Sequence, residues 1–475
     1  MKTLMKFILL SLLTLCFQKA NSQITGNHVT GSWLGVLNAG AVDLRLVFNI
    51  SVSEGDSIKA TLDSPDQGAK GVPLGEVVLW EDSVRIEGPL MAAYYVGKVT
   101  SDSTILGEWH QAGRVFDLNL NRQETAFVLN RPQEPVPPYP YREEEVSFQN
   151  DRQGFFLGGT LTIPEGEGPF PAVILVSGSG SQNRDEEIFG HKPFKVIADH
   201  LTRRGIAVLR YDDRGVGSSG GSPAGSTSLD NAGDARSAFE YLLNRDEIEK
   251  SQIGIIGHSE GGMIVFMLAS GYDDIAFIVS LAGPGVKGKS ILLEQSDYIN
   301  RLSGVEEPFL KDNRVVMNNV YDMMASNESY QKWAEEVSNF TAGYYSREAS
   351  GDYTREEIEQ ARNNLLGSIP EVSYPWMRYF VMFDPAPLFA KIKCPVLALN
   401  GEMDSQVLPE KNIKAIQAGL LSSGNEEVTA MILPGLNHLF QNCVTGLPNE
   451  YGTIEETFDP KVLEIISEWI LKQGG

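Results

Sequence analysis

Hydrophobic and polar residues follow two different periodicities along the chain, and the change lies near residue 130. In the first part, short segments place apolar side chains at every second position, which is typical of β-strands with one buried face. Such segments are Asp43–Ser51, Val77–Trp80, Val84–Ile86, Tyr94–Val99 and Val115–Leu120. Turn residues separate them, so the pattern predicts that residues 23–130 form a small all-β barrel or sandwich.

A Pro-rich segment, residues 131–142, predicts a stiff and extended linker. From residue 143 to residue 475, apolar runs alternate with amphipathic helical segments, which predicts helices packed on a mostly parallel, doubly wound sheet. This α/β region opens with a predicted hairpin, Glu144–Phe148 and Phe155–Ile163. Its buried strands are predicted at Ala172–Val176, Ala207–Tyr211, Ile253–Ile256, Ile275–Leu281, Val396–Asn400 and Val428–Leu433.

One stretch of the α/β region, about residues 287–390, carries a helical pattern and no apolar run that fits a core strand. An insertion of this length between two strands of one sheet is usually a lid or a binding element. We therefore expect a helical cap over the end of the sheet.

The first 22 residues have the features of a secretion signal. Lys2 and Lys6 precede an apolar core, Phe7–Leu15, and small residues at Ala20–Ser22 suit a cleavage site. The protein is therefore expected to be secreted or periplasmic. A lipid anchor on Cys16 is not favoured, because a large residue precedes this cysteine where the lipidation signal requires a small one.

Charge limits the classes of partner. The full chain carries a net charge of −23, and removal of the three lysines of the signal makes it −26. A protein this acidic repels nucleic acid and anionic membranes, and no later segment is long and apolar enough to span a bilayer. The two remaining cysteines, Cys394 and Cys443, are expected to be unpaired, because they fall at opposite ends of the predicted sheet. The oligomeric state is left open.

The strongest chemical signal is Ser259, within Gly257–Gly262. A buried strand ends directly before this motif and an apolar helix begins directly after it, which is the arrangement that lifts a nucleophilic hydroxyl above a sheet. Gly217–Gly221 also fits the pattern Gly-x-Ser-x-Gly around Ser219, but no helix follows it. We interpret Ser259 as the nucleophile and Ser219 as a loop residue.

A serine nucleophile needs a base and an acid that orients the base. His438 is the histidine that follows the last predicted strand, and Asp404 and Glu402 follow the strand before it. The order Ser, acid, His, with each residue at the carboxyl end of a strand, is the order of the α/β-hydrolase fold. The arrangement by itself admits either carboxylate as the acid.

The oxyanion of an acyl-transfer intermediate requires backbone N–H donors. The residue after the nucleophile, Glu260, supplies one donor, and the second is expected from the loop Ser177–Gly180, with Ser179 preferred and Gly178 next. This chemistry requires no metal and no organic cofactor.

The α/β region resembles the serine carboxylesterases of the α/β-hydrolase superfamily, in the group with a Gly-His-Ser-Glu-Gly-Gly elbow, whereas no family is named for the β module. The shared motifs are Gly257–Gly262, Ser177–Asp185, Tyr211–Gly217, Pro375–Phe380 and Cys394–Val407. The resemblance covers residues 143–473 and implies a triad of Ser259, Asp404 and His438. It also implies hydrolysis of short-chain acyl esters, either as small molecules or, in secreted members, on acetylated or feruloylated polysaccharides. Ser181 stands where the group is expected to have Pro.

The cap contributes Trp376, Tyr379 and Phe380, which either wall an acyl pocket or simply pack. In the β module, Trp33, Trp80 and Trp109 are expected in the core rather than on a ligand surface.

Two other functions compete. A secreted serine peptidase of the prolyl-peptidase type shares the fold and the triad order, but the β region is several blades short of the propeller that commonly precedes such enzymes. Gly283–Ser290 fits the P-loop pattern after a strand, which makes a nucleotide-binding protein a more distant alternative. A binding protein without catalysis has no reason to keep a complete triad.

Overall fold

A computed structural model describes residues 24–38, 43–52, 57–111, 113–125 and 129–474. The predicted signal segment, with Cys16, lies outside these residues. The chain divides into two compact units, Met1–Val128 and Leu129–Gly475. None of the helices in the described ranges is both long and apolar enough to cross a membrane.

The first unit has a short helix α1 (Gly26–Val29) and one antiparallel sheet of ten strands. The strands run in the spatial order β4-β3-β2-β1-β10-β8-β7-β6-β5, and β9 pairs with β8. They are β1 (Gly31–Asn38), β2 (Asp43–Val52), β3 (Ile58–Ser64), β4 (Ala69–Pro73), β5 (Val77–Trp80), β6 (Ser83–Gly88), β7 (Ala93–Ser101), β8 (Thr104–Gln111), β9 (Arg114–Asp117) and β10 (Leu120–Gln123).

The sheet of the first unit curls around a single apolar core, since strand β3 also contacts β5. Trp33 and Trp109 are buried there, and Phe48 lies against the Trp109 ring with a centroid distance of 6.0 Å. Trp80 was expected in the same core, but its side chain is 41% exposed. The prediction for Trp80 is wrong because the two-residue alternation of β5 places this residue on the solvent face.

The second unit contains a sheet in the order β11-β12-β14-β13-β15-β16-β17-β18. The hairpin β11–β12 is antiparallel, and the six strands that follow run parallel to one another. This confirms the predicted α/β class. The strands are β11 (Tyr141–Asn150), β12 (Phe155–Pro164), β13 (Phe170–Val176), β14 (Ala207–Tyr211), β15 (Ile248–His258), β16 (Ile278–Leu281), β17 (Val396–Gly401) and β18 (Val428–Leu433).

Helices cover both faces of the parallel sheet, as the continuous apolar runs of its strands require. One face is covered by α2 (Pro193–Arg203) and α12 (Pro460–Gln473), and the other by α3 (Ser228–Leu243), α4 (Glu260–Gly271) and α11 (Pro409–Ser422). Because the strands are parallel, their carboxyl ends meet at one edge of the sheet, and the loops that follow β13, β15, β17 and β18 gather there.

A helical cap lies between β16 and β17, as predicted, and has its own apolar core around Trp333 and Tyr374. Its helices are α5 (Gly288–Leu302), α6 (Glu307–Ser326), α7 (Tyr330–Arg347), α8 (Arg355–Ser368), α9 (Tyr374–Met382) and α10 (Ala386–Phe389). Short 3-10 turns occur at Pro65–Gln67, Pro89–Met91, Glu371–Ser373 and Pro448–Glu450.

The Pro-rich segment is attached to the second unit by side chains. Gln133 donates to the carbonyl oxygen of Phe458 and accepts from the backbone N–H of Thr457. Glu134 binds the ammonium groups of Lys192 and Lys195. These contacts hold the segment against the loops around α2 and α12.

Candidate active site

Ser259 occupies a strained turn between β15 and α4. Its backbone has φ 54° and ψ −115°, a conformation that non-glycine residues rarely adopt. A Cβ at Gly257 would overlap the carbonyl oxygen of Gly261, and a Cβ at Gly261 would overlap that of Val176. The motif therefore needs glycine on both sides so that the helix can start directly above the sheet. The side chain of Ser259 is half-buried at the carboxyl end of β15.

Asp404 and His438 form a buried pair on the loops after β17 and β18. Nδ1 of His438 donates to Oδ2 of Asp404 over 2.7 Å. The other oxygen, Oδ1, accepts the backbone N–H groups of Gln406 and Val407 at 2.8 and 2.9 Å. These bonds orient the carboxylate and fix the tautomer of His438, which leaves Nε2 as the basic nitrogen.

The rival residues have other partners. Glu402 is exposed, and its Oε2 accepts the backbone N–H of Gly435 at 3.0 Å instead of contacting His438. The hydroxyl of Ser219 donates to the carbonyl oxygen of Asp212 and accepts from the N–H of Gly158. Both residues are therefore used in shaping loops.

The third contact of a proton relay, from Ser259 to His438, is not closed in this structure. Within the described residues, no hydrogen bond joins the Ser259 hydroxyl to Nε2 of His438. The two sites are neighbours nonetheless, because the ring of His258, the residue before Ser259, lies 4.9 Å from the His438 ring between centroids. Such bonds commonly tighten only when substrate is bound.

The loop after β13 lies against the nucleophile. A Cβ placed on Gly178 would lie 3.2 Å from Cβ of Ser259. The N–H of Gly178 donates to Oε1 of Glu186 at 2.6 Å and is therefore occupied. In the described part of the chain, the N–H groups of Ser179 and Glu260 donate to no acceptor. Of the two loop residues considered, Ser179 is thus the one with a donor to offer to an oxyanion.

Asp213, after β14, holds the predicted oxyanion loop, Ser177–Gly180, in place. Its carboxylate accepts the hydroxyl of Ser177 at 2.8 Å and the backbone N–H of Gln182 at 2.9 Å. Burial raises the pKa of Asp213 to about 7, against the opposing effect of these two donors. Asp213 follows a predicted strand at the same sheet edge, a position that could have identified it from the sequence.

The side chain of Glu260 is buried beneath the cap. Its Oε1 accepts the indole N–H of Trp376 at 2.9 Å. Burial raises the pKa of the Glu260 carboxyl, and the nearby polar side chains of Ser228, Trp376 and Asn231 oppose that rise. The contact couples the cap to the first residue of α4.

Two cavities lie under the cap. One of about 360 Å³ is lined by Ser179, Asp213, Asn231 and Trp376 among others. A larger one, of about 880 Å³, lies beside Asp404, between α5, α6 and the start of α11. Ser179 therefore borders the smaller cavity and Asp404 the larger one.

Of the three aromatic residues expected near the substrate, Trp376 lines the smaller cavity with Ser179. Phe380 is buried in a cluster with Met263 and Phe383, and Tyr379 packs against the same cluster. These two side chains therefore join the cap to α4 through apolar contact.

The segment with a P-loop pattern has a different use in the structure. Lys289 binds the carboxylate of Asp322 on α6 at 2.6 Å. A Cβ on Gly288 would overlap the carbonyl oxygen of Phe380, so this glycine permits close packing of the cap. Within the described residues, no group of three or more His, Cys, Asp or Glu side chains is arranged to hold a metal ion.

Cys394 and Cys443 are free thiols, as expected. Burial raises the pKa of both thiols to about 11, so neither is a reactive thiolate near neutral pH.

From the sequence, His258 is predicted only as part of the elbow, and no role is predicted for Glu186. In the structure they form a buried pair, with Nδ1 of His258 at 3.0 Å from Oε1 of Glu186. The available signal was position, because Glu186 lies on the loop after β13 and His258 at the end of the adjacent strand β15.

Comparisons with known proteins agree with this architecture. Residues 191–442 match the protein family described as serine aminopeptidase, S33. The chain is 28% identical over 341 residues to Esterase EstD of Thermotoga maritima, which covers 71% of this chain and 69% of that protein. Among solved structures, an esterase of Pyrococcus furiosus matches with a TM-score of 0.44 and 15% identity, covering 73% of this chain and 98% of that one. Est1E of Butyrivibrio proteoclasticus, bound to ferulic acid, matches with a TM-score of 0.42 and 15% identity, over 69% and 98% of the two chains.

Proposed function

The chain belongs to the serine aminopeptidase, S33, family of hydrolases, and from this premise we propose that it is an exported serine esterase. Its substrates are carboxylic esters of short acyl chains, either small molecules or esters on a polysaccharide. The similarity to an esterase over 71% of the chain supports the choice of ester over other acyl substrates.

In the proposed reaction, Nε2 of His438 takes the proton of the Ser259 hydroxyl as its oxygen attacks the ester carbonyl. Asp404 stabilises the imidazolium that forms, and the N–H groups of Ser179 and Glu260 bind the oxyanion. The imidazolium then protonates the leaving alcohol, which gives an acyl-enzyme. Water activated by His438 hydrolyses this intermediate and restores Ser259.

The observation that carries the proposal is the 2.7 Å bond between Asp404 and His438 at the same sheet edge as the strained Ser259. Both oxygens of this carboxylate are engaged, Oδ1 by two backbone N–H groups and Oδ2 by the imidazole N–H. This pair is therefore built to orient a base rather than to bind a ligand.

The test is a panel of p-nitrophenyl esters from acetate to laurate, with acetylated and feruloylated xylan and amino-acid p-nitroanilides alongside. Wild type is expected to cleave the short esters fastest, and Ser259→Ala to lose roughly 10⁴- to 10⁶-fold in kcat. Ser219→Ala, at the other serine with the same motif, serves as the matched control and keeps most of the activity. Full activity in Ser259→Ala, or turnover of the anilides alone, would contradict the proposal.

Aminopeptidase activity is the second candidate, because the family description names it. A free substrate amine needs an unpaired carboxylate near the catalytic groups. In the larger cavity, the described acidic side chains are already paired: Glu294 with Lys411, Asp297 with Arg314, Glu402 with the Gly435 N–H and Glu410 with Lys414. This pairing favours the ester over a peptide with a free amino terminus.

A further inference from the structure

The two ring nitrogens of His258 both face hydrogen-bond acceptors. Nδ1 lies 3.0 Å from Oε1 of Glu186, and Nε2 lies 3.0 Å from the carbonyl oxygen of His438. A neutral imidazole carries one N–H and can satisfy only one of them. When Glu186 is ionised, its carboxylate and the His438 carbonyl both receive a proton from this ring only if the ring carries both protons.

The surroundings of His258 support a charged ring. Burial by itself lowers the pKa of His258, but the Glu186 carboxylate and the hydrogen bond to the His438 carbonyl raise it above its ordinary value, and Asp404 adds to this. Asp213 and Glu260 are the other acidic groups in this part of the site. The titratable ring of His438 lies 4.9 Å from the His258 ring between centroids. Six apolar side chains line the small cavity beside Glu186 and His258: Pro193, Phe194, Ile197, Leu281, Leu439 and Phe458.

The same ring connects three catalytic segments. Oε1 of Glu186 also accepts the N–H of Gly178, next to the oxyanion donor Ser179. The carbonyl of His438 belongs to the base itself, and the backbone of His258 continues into Ser259. An imidazolium at this point therefore fixes the oxyanion loop, the base and the nucleophile relative to one another.

We infer that His258 is a positioning residue that carries both ring protons at neutral pH and is paired with Glu186. Its two N–H groups lock the oxyanion loop and the base loop onto the nucleophile elbow. This inference deepens the proposed hydrolase function and rests on it for its kinetic consequences. The protonation state itself does not depend on which substrate is cleaved.

A pH dependence follows from the second proton. Activity is expected to fall at high pH, when His258 loses one of its two ring protons. Since the pKa of His258 is raised in the folded protein, the ordering it provides is complete at low pH and is lost as pH increases through that raised value. The falling limb thus lies above the ordinary imidazole range of about 6.5.

The first test is nitrogen-15 NMR of wild-type protein with labelled histidine, assigned with His258→Gln. At pH 7.5 the His258 ring is expected to be an imidazolium. His191 is the internal reference, because burial and the nearby Arg131 lower its pKa to about 4, and its partners are the Thr457 hydroxyl and the Tyr451 carbonyl. A neutral His258 ring at pH 7.5 would overturn the inference whatever the enzyme hydrolyses.

The second test is the pH profile of kcat for Glu186→Gln. Loss of the carboxylate is expected to move the falling limb to lower pH by about 1–3 pH units. Glu187→Gln, at the exposed neighbour, is the matched control and leaves the profile unchanged. A falling limb unmoved in folded Glu186→Gln would overturn the assignment, whereas absence of ester turnover in wild type would refute the proposed function and leave the NMR result to decide this one.

Discussion

The indole nitrogen of Trp376 donates a hydrogen bond of 2.9 Å to Oε1 of Glu260, the residue whose backbone N–H is proposed as an oxyanion donor. One residue of the elbow therefore binds the cap with its side chain while the proposal assigns its main chain to the reaction. The carboxyl is buried, and its second oxygen, Oε2, has no partner within hydrogen-bond geometry. The protein thus carries a costly buried acid directly beneath its catalytic turn.

Glu260→Gln tests this cost through the pH dependence of stability. Burial raises the pKa of Glu260 in the folded protein, so folding takes up protons and wild type loses stability as pH rises above about 4.3, the ordinary value of a glutamate. The amide of the Glu260→Gln variant does not titrate, so the variant does not lose stability in this way as pH rises. We expect Glu260→Gln to be more stable than wild type at pH 8 and to match it near pH 4, as measured by urea unfolding.

Glu240→Gln, on the exposed side of α3, is the control for a general change in net charge. It is expected to show no gain in stability at pH 8, because its carboxylate is exposed and paired with Arg236. A Glu260→Gln variant that is less stable than wild type at pH 8 would show that the carboxylate is stabilised by its donors more than it is penalised by burial.

Asp404→Asn tests the acid that orients His438. The amide keeps the shape but favours the wrong tautomer of the ring, and kcat is expected to fall about 10⁴-fold. Glu402→Gln changes the neighbouring carboxylate, which binds the Gly435 N–H instead, and is expected to stay within about twofold of wild type by the same argument. Both variants are measured by steady-state ester hydrolysis. A larger loss of kcat in Glu402→Gln than in Asp404→Asn would make Glu402 the acid.

Ser179→Pro removes the backbone N–H that we assign to the oxyanion. Loss of one such donor costs about 10²- to 10³-fold in kcat with a small change in KM. Ser179→Ala keeps the N–H and removes only the hydroxyl, so it is expected to retain activity. Equal losses in both variants would show that the hydroxyl or the loop conformation matters rather than the donor.

The parallel strands could be predicted from sequence because strands buried on both faces are continuous apolar runs. The start of β15 was missed. The structure extends this strand back to Ile248 through Glu249, Lys250 and Ser251, which are polar because they lie beyond the covered part of the sheet. Solvent exposure at a strand end removes the apolar signal without ending the strand.

At the site, the order of Ser259, Asp404 and His438 along successive strand ends was enough to suggest which loops meet. The pairing of Glu186 with His258 was not accessible in the same way, since the two are 72 positions apart and neither lies in a motif that specifies the other. The positions of residues after successive strands indicate which loops converge. Packing decides which side chains of those loops contact one another.

Asp312 provides a test of the cap. Its buried carboxylate accepts the backbone N–H groups of Ser350 and Gly351 and the hydroxyls of Tyr344 and Tyr353, and so it closes the loop between α7 and α8. Asp312→Ala leaves four donors without an acceptor and is expected to cost at least ~3 kcal/mol of unfolding free energy.

Limited proteolysis near residues 348–354, together with thermal unfolding, measures the effect of Asp312→Ala. The control is Asp322→Ala, on the exposed side of α6, where the carboxylate is paired with Lys289 at the surface. If both variants are cleaved at the wild-type rate, Asp312 does not hold this loop.

The attachment of Gln133 and Glu134 to the second unit decides where this chain can be cut and rejoined. A chimera that places its breakpoint after the last proline, at residue 142, would strip Lys192 and Lys195 of their carboxylate and expose the backbone that Gln133 covers. A breakpoint before residue 129 keeps Gln133 and Glu134 in the same fragment as the residues that they bind. Exchange of the β module is therefore expected to be tolerated at the upstream junction and to destabilise the second unit at the junction fourteen residues later.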